Sequence, residues 1–318
     1  MKFLNNIKFN YHVKLLEDYL SNDNSKAYSA LKDIFNNEPS TFIKLFLFFE
    51  NKYLQNQQFG NFYDSRLIWI NSFDFQDTLF LNQFLNYYLS RTNNNFENIN
   101  YSLILNKIIN EKKINDFQDE IKFDHFVRYS NLFQNLILFY FNNKNIFLNS
   151  RAAFFESTGG KYFTYPNLTQ SYIFIVRNPY ALYNRYKINH SSNQFALNEI
   201  FNFNQELVSE DNSRIYENRQ SWNTHTKSWI DPNVKSTFNG KIIKFEDLAK
   251  DPEDILIQVL YHLKESGMNL DLNFDLVREF LNTSSLQEEK NDPISNQEKK
   301  SLIRDIDNSL LDFFKYNI

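Results

Sequence analysis

Arg66-Leu67-Ile68-Trp69-Ile70-Asn71-Ser72-Phe73-Asp74-Phe75-Gln76-Asp77-Thr78-Leu79-Phe80 is the stretch on which the fold turns. Leu67–Ile70 is an unbroken apolar run of strand length, a polar loop follows, and helical spacing takes over from Thr78 to Leu89. Three later runs read the same way: Asn145-Ile146-Phe147-Leu148, Tyr172-Ile173-Phe174-Ile175-Val176 and Lys241-Ile242-Ile243-Lys244-Phe245, the last behind the turn signal Asn239-Gly240. Helical patterns separate them, at Phe123–Phe141, Tyr180–Ile188, Phe195–Leu207 and Ile215–Trp229, and further helices close the chain at Ile255–Leu263, Phe274–Leu281 and Leu302–Phe314. A strand apolar at every position must be covered on both faces, and helices between strands are what parallel crossovers require. The pattern predicts an α/β fold in which Leu67–Ile70, Ile146–Leu148, Ile173–Val176 and Ile242–Phe245 are neighbours in one parallel sheet.

Upstream of Arg66 the pattern is helical throughout. Leu15, Leu16, Tyr19 and Leu20 lie at helical spacing, as do Tyr28, Leu31, Ile34 and Phe35, and Pro39-Ser40-Thr41 reads as a break before a helix through Phe42, Leu45 and Phe49. There is no 34-residue repeat to suggest a helical array. The division predicted is a helical N-terminal extension, residues 1–60, and a main α/β domain, residues 61–318. The apolar faces carried by Leu16, Leu20, Leu31, Phe35, Phe42 and Phe49 are too extensive to stand in water, so the extension should pack on the main domain or on a second copy.

Composition narrows the function classes. The 318 residues carry a net charge of −4, which argues against a nucleic-acid binder working through clustered Lys and Arg. No Cys is present, which excludes disulfides, thiolate metal sites and thiol catalysis. The opening MKFLNNIKFNYHV does not read as a signal peptide, and the longest apolar runs, near Leu45–Phe49 and Leu136–Phe141, fall short of the roughly 20 residues of a membrane span. A cytoplasmic protein without a membrane span is the expectation.

Four segments, in chain order, resemble sulfotransferases that use 3′-phosphoadenosine-5′-phosphosulfate (PAPS). Ile68-Trp69-Ile70-Asn71-Ser72-Phe73 with Phe80-Leu81 is similar to the family's opening strand, phosphosulfate loop and following helix. Ile175-Val176-Arg177-Asn178-Pro179 resembles the strand end that grips the donor's 3′-phosphate. Ser221-Trp222, His225 and Ser228-Trp229 look like its Trp-bearing helix, and Lys244-Phe245-Glu246-Asp247-Leu248 with Asp251-Pro252-Glu253 its K-Y-E-D-L and D-P-E stretch. The resemblance, which runs from Arg66 to the C-terminus, implies a three-layer, P-loop-like sulfotransferase fold with a central parallel sheet, behind the α-helical extension.

It also locates what is altered. A phosphosulfate donor needs a Gly-rich loop whose amides cradle the phosphate at a helix N-terminus, together with a Lys. The family loop reads approximately Y-P-K-S-G-N-T-W. The aligned stretch here puts Phe75 at the Lys position, Asp77 at the Gly position and Leu79 at the Thr position. A carboxylate about 4 Å from a phosphate repels it by ~4 kcal/mol at an effective dielectric near 20, and Phe75 cannot stabilise charge on the departing phosphate. The plainer reading of Asp74 and Asp77 is an N-cap and a first-turn acid of the helix that follows. After the second strand, where the family carries a Lys-Thr-His-like sequence whose His is the general base, the chain reads Phe147-Leu148-Asn149-Ser150-Arg151-Ala152-Ala153. Arg151 then stands for the base and cannot accept a proton. A shifted register with another base is the alternative, and His225, on the Trp-bearing helix, reads as structural.

The resemblance carries donor-binding roles onto five residues. Arg177 matches the 3′-phosphate Arg, Arg185 stands where a Ser is expected eight positions later, and Phe80 falls at a Trp that stacks near adenine. Thr283 and Ser284 begin a Thr-Ser-Phe-like adenine contact in which Ser285 replaces the Phe. Their plain readings are a surface ion pair, a solvent-facing Arg, a core aromatic and a helix cap respectively. Glu246-Asp247 and Asp251-Glu253-Asp254 read as structural acids, not a metal site. With donor loop and base lost together, the sequence favours a degenerate pseudoenzyme with no catalytic residue. It would require no cofactor, would hold PAPS or its product 3′-phosphoadenosine-5′-phosphate (PAP) only if the donor pocket persists, and would bind a protein partner or form a homo-oligomer. The alternative is a divergent active transferase moving a sulfuryl group from PAPS to a hydroxyl acceptor; a third reading holds another nucleotide or an anionic glycan on the same arginines.

Overall fold

A computed structural model describes residues 2–22, 24–53, 66–92, 94–112, 130–141, 144–154, 163–164, 166, 168–190, 192–201, 219–286 and 294–316. Three helices lead, α1 (Lys2–Asn22), α2 (Asn24–Asn37) and α3 (Pro39–Tyr53). The main domain begins with β1 (Leu67–Ser72), one 3₁₀ turn (Phe75–Thr78) and α4 (Leu79–Arg91). It continues through β2 (Phe96–Asn100), α5 (Tyr101–Glu111), α6 (Ser130–Phe141), β3 (Asn145–Ser150), β4 (Thr169–Val176), α7 (Pro179–His190) and α8 (Asn193–Phe201). After these come α9 (Trp222–Ile230), α10 (Pro232–Thr237), β5 (Gly240–Lys244), α11 (Phe245–Lys250), α12 (Pro252–Glu265), α13 (Phe274–Thr283), α14 (Asn296–Asp305) and α15 (Asn308–Phe314).

The five strands form one parallel sheet in the order β2-β3-β1-β4-β5, with Trp69 opposite Leu148 on one side and Tyr172 on the other, and Phe174 opposite Ile242. Strand alternation divides the core into two layers. Leu67, Trp69, Ile146, Leu148, Tyr172 and Phe174 face α5, α6 and α9 and the extension. Ile68, Ile70, Phe147, Ile173, Ile175 and Ile243 face α4, α12 and α13. The fold is therefore a three-layer α/β structure, and the four expected strands are neighbours in it as their apolar runs predict. Phe245 is the exception: it starts α11 instead of ending β5. At the entry to β5, Asn239 takes a left-handed φ of 47°. Gly240 follows because a Cβ there would stand 2.1 Å from the Tyr172 ring, whose hydroxyl donates to the Trp229 carbonyl at 2.6 Å.

Other boundaries differ from expectation. The fifth strand, β2, is a half-exposed edge whose sequence Phe-Glu-Asn-Ile-Asn has no apolar run. The helix expected over Ile215–Trp229 begins at Trp222: Gln220 turns left-handed at φ 59°, and the Ser221 side chain accepts from the Thr224 amide. The helix expected over Leu302–Phe314 is two, divided where the Asp307 side chain accepts from the Ser309 amide at 2.8 Å. Of the helices expected over Phe123–Phe141 and Phe195–Leu207, the parts 123–129 and 202–207 lie outside the described residues, as does 215–218. No described helix is long and apolar enough to cross a membrane.

The extension packs on the main domain. The Phe139 ring of α6 receives Tyr28 at 5.4 Å, Phe35 at 6.0 Å and Phe42 at 5.1 Å between ring centroids. Leu16, Leu31, Phe35 and Phe42 are buried in the same core; the side chains of Leu20 and Phe49 lie outside the described set. Deleting residues 1–56 uncovers Phe139 and its neighbours, so the truncated chain should lose solubility or change oligomeric state on size exclusion. A truncated chain as soluble as the parent, in the same oligomeric state, would contradict this packing.

Candidate functional site

All five strands point the same way, so β1, β3 and β4 release their C-terminal ends along one edge of the sheet, the place where α/β folds build sites. What leaves that edge here is Phe73-Asp74 from β1, Arg151 from β3 and Arg177 from β4. The β1–α4 turn is braced by its own groups. Asp74 is extended, and its Oδ1 accepts from the Gln76 amide at 3.0 Å. The Asp77 amide donates to the Asp74 carbonyl at 3.0 Å, and the Leu79 amide to the Gln76 carbonyl. The Ser72 and Thr78 hydroxyls donate to the carbonyls of Asp74 and Phe75 at 2.5 and 2.9 Å. A phosphate cradle needs amides that point outward; those of Gln76, Asp77 and Leu79 are engaged inside the turn.

Tightening the turn puts Asp77 under the ends of two arginines. Arg177 Nη1 lies 3.0 Å and Arg185 Nη2 2.8 Å from the same oxygen, Asp77 Oδ1, while Arg185 Nη1 lies 3.1 Å from Asp74 Oδ2. All four side chains are buried. Asp77 Oδ2 finds no hydrogen-bond partner among the described residues. Burial pushes the Asp77 carboxyl up to about 6, against the pull of Arg185 and Arg177 and with Asp74 adding to the rise. For Asp74 burial acts in the same upward direction, but Arg185 and the Gln76 amide outweigh it and hold the group below its ordinary value. At neutral pH the cluster is two carboxylates held by two guanidinia.

Three separate parts of the chain meet at Arg177. Its guanidinium lies 4.1 Å from the centroid of the Phe245 ring and touches Asp77, and its carbonyl accepts from Trp222 Nε1 at 3.2 Å. Glu246 Oε1 accepts from the Asn178 amide at 2.8 Å, and its other oxygen from the Tyr316 hydroxyl at 3.1 Å. Farther along, Asp251 caps α12, and Glu253 pairs with Arg278 at 2.8 Å. Among the described residues no cluster of His and carboxylates is arranged to hold a metal.

The altered positions are also in contact with one another. The Arg151 guanidinium stands 4.7 Å over the centroid of the Phe75 ring, joining the exit of β3 to the β1–α4 turn. His225 is fully buried, its ring 5.6 Å from Phe73 and 5.5 Å from Phe174. Burial, with the Arg219 and Arg151 cations nearby, brings its pKa down to about 3, the Arg151 carbonyl pulling the other way. Such an imidazole stays neutral at pH 7 but holds a proton too weakly to serve as a general base.

Phe80, Thr283 and Ser284 gather around Phe280 of α13. The Phe80 ring packs at 5.3 Å from Phe280, the Thr283 hydroxyl donates to the Phe280 carbonyl at 2.9 Å, and so does the Ser284 amide at the helix end. Arg177 and Arg185 meet at Asp77, while Phe80, Thr283 and Ser284 meet at Phe280. Arg219 was not among the candidates. It is buried, stacks 4.4 Å over the Phe73 ring and donates to the Glu199 carbonyl at 2.7 Å and carboxylate at 2.9 Å. The left-handed Gln220 that directs it carries no sequence signal, since Gln rarely adopts that conformation. No protein-family model matches the chain, and no curated protein sequence matches it.

Proposed function

We propose that the chain is a divergent sulfotransferase-type domain whose donor site is closed from within, and that it works as a non-catalytic binding or assembly module. The observation that carries this reading is the carboxylate of Asp77 on both Arg177 and Arg185. The arginines that the resemblance assigns to the donor's phosphate already hold an anion, and it is part of the chain. Two further observations support the reading: the turn amides are engaged internally, and Arg151 and Phe75 stack where a base and a Lys would be needed.

A single charge-assisted contact contributes about 1.5–3 kcal/mol, and a carboxylate at the same place opposes a phosphate by ~4 kcal/mol. Little net donor affinity is left. Incubation with PAPS and phenol, alcohol or sugar acceptors at pH 7.5 should yield no sulfuryl transfer above a heat-denatured control. PAPS-dependent product above that control would favour the divergent active transferase instead.

A further inference from the structure

β2 (Phe96–Asn100) closes one end of the sheet, with β3 on one side and no described strand on the other. The ladder fixes which of its backbone groups face outward. Phe96 stands opposite Asn145, whose amide donates to the Asn95 carbonyl at 3.0 Å. In a parallel ladder that register turns the N–H and C=O of Glu97 and Ile99 toward β3. Those of Phe96 and Asn98, and the Asn100 N–H, point away from it. The Asn149 side-chain amide, which donates from β3 to the Ile99 carbonyl at 3.3 Å, agrees. On one face of the sheet Glu97 and Ile99 line a groove of about 630 Å³ with Leu103, Ile104 and Lys107 of α5.

Lys and Pro are the usual guards of a sheet edge, and β2 has neither. Its one charge, Glu97, is paired with Lys144. The opposite edge, β5, is guarded by Lys241 and Lys244. We propose that β2 pairs antiparallel with β2 of a second copy of this chain, about a twofold axis at Asn98, joining the two sheets edge to edge. The strand is complementary to itself in that arrangement. Each Asn98 N–H meets the Asn98 carbonyl of the partner subunit, and each Asn100 N–H the partner subunit's Phe96 carbonyl. The Asn100 carbonyl is engaged at the start of α5, which Asn100 caps. Between these pairs Glu97 falls opposite Ile99 of the partner subunit, so no like charges are opposed. It then stands over the groove that the partner subunit's Lys107 shares with Ile99. Lys107 is available for it, because its own ion pair, with Glu111 at 3.9 Å, is exposed. A foreign strand would have to bring a matching acid; a second copy brings it by symmetry. No residue of the Asp77 cluster lies on β2, so the inference is independent of the closed-site reading.

Sedimentation velocity of the wild-type chain should show monomer passing to dimer between about 1 and 200 µM, the weak range of a short-strand interface. Asn98→Ala removes the side-chain bonds to Asn149 and Asn82 but keeps the outward N–H. Asn98→Pro removes that N–H as well, without taking a bond from the β2–β3 ladder, and should dimerise at least about tenfold more weakly than Asn98→Ala. Lys107→Glu should weaken the dimer about threefold or more at low ionic strength. Amide exchange of the wild type, followed by NMR, decides even if Asn98→Pro does not fold. On dilution to monomer the Asn98 and Asn100 amides should exchange at least about tenfold faster, while those of Glu97 and Ile99, bonded to β3, change little. A wild type that stays monomeric at the upper concentration overturns the proposal and leaves the edge to an extended segment of another protein. A dimer in which Asn98 and Asn100 exchange as fast as in the monomer, or which Asn98→Pro and Asn98→Ala form equally well, overturns it too, because the contact then lies elsewhere. Unchanged dimerisation of Lys107→Glu overturns the twofold register at Asn98.

Discussion

Arg185→Met lowers the free energy of unfolding at pH 8 by about 3–5 kcal/mol, the cost of removing one partner from a buried charge cluster. Arg185 contacts both acids of the turn, at 2.8 Å to Asp77 and 3.1 Å to Asp74. Without it Asp74 loses its nearest cation and Asp77 one of two, and both groups should rise toward neutrality. The native variant then binds more protons than the unfolded chain between pH 4 and the raised values, so its stability falls as pH climbs through that window. The deficit relative to wild type should therefore be larger at pH 8 than at pH 5 in urea melts. Arg278→Ala is the control: its pairs with Glu253 and Asp275 are exposed, and such a loss is worth at most about 1 kcal/mol. If Arg185→Met costs no more than Arg278→Ala, the cluster described above is not formed.

Acid should unfold this protein by way of two buried imidazoles. His225 and His262 are held neutral, their pKa values brought down to about 3 and about 4 mainly by burial, with Arg219 near the first and Lys241 near the second. An unfolded His binds its proton near pH 6.5. Between that value and the depressed native ones the unfolded chain carries more protons, so stability is present at pH 7 and is lost as pH falls. At 1.36 kcal/mol per pKa unit the full loss is about 5 kcal/mol for His225 and about 3 kcal/mol for His262. Asp77, whose carboxyl is raised, runs the other way between about pH 6 and 4 and offsets part of it. His225→Phe places an apolar ring between Phe73 and Phe174, so it should flatten the fall in stability between pH 6.5 and 4 by close to one proton. Urea midpoints at pH 7, 6, 5 and 4 measure this, and parallel curves for variant and wild type would rule it out.

The sheet was legible because its strands are buried on both faces and must be apolar at every position, as Leu67–Ile70 and Tyr172–Val176 are. The edge strand β2 was not legible, since a half-exposed strand can be built of Asn and Glu without cost. Helix ends set by single backbone choices, at Gln220 and at Asp307, escape a reading by periodicity. For the site, the residue types were legible and their pairing was not. Asp77 lies not in the first turn of α4 but in the 3₁₀ turn ahead of it, and its partners lie 100 and 108 residues away. Arg177 and Arg185 read as an anion pair, with nothing local to say that the anion is already present. The contact between Phe75 and Arg151 belongs to the same class, two residues far apart in sequence that the fold brings together.

The claim that Asp77 closes the site is tested most directly by calorimetric titration of PAP at pH 7.5 into the wild-type chain and into Phe75→Lys/Asp77→Gly. Removing Asp77 takes away the carboxylate on which both guanidinia converge, with Asp74 still on Arg185, and the new Lys adds a cation, so the charge balance of the turn shifts toward accepting an anion. The account predicts weak or undetectable binding to wild type, affinity at least about tenfold tighter in the variant, and a melting temperature that drops in the variant and recovers with PAP. It also predicts no sulfuryl transfer while Arg151 stands at the base position. Micromolar binding of PAP by the wild type at pH 7.5 would contradict it, because Arg177 and Arg185 would then be open to a ligand with Asp77 still in place.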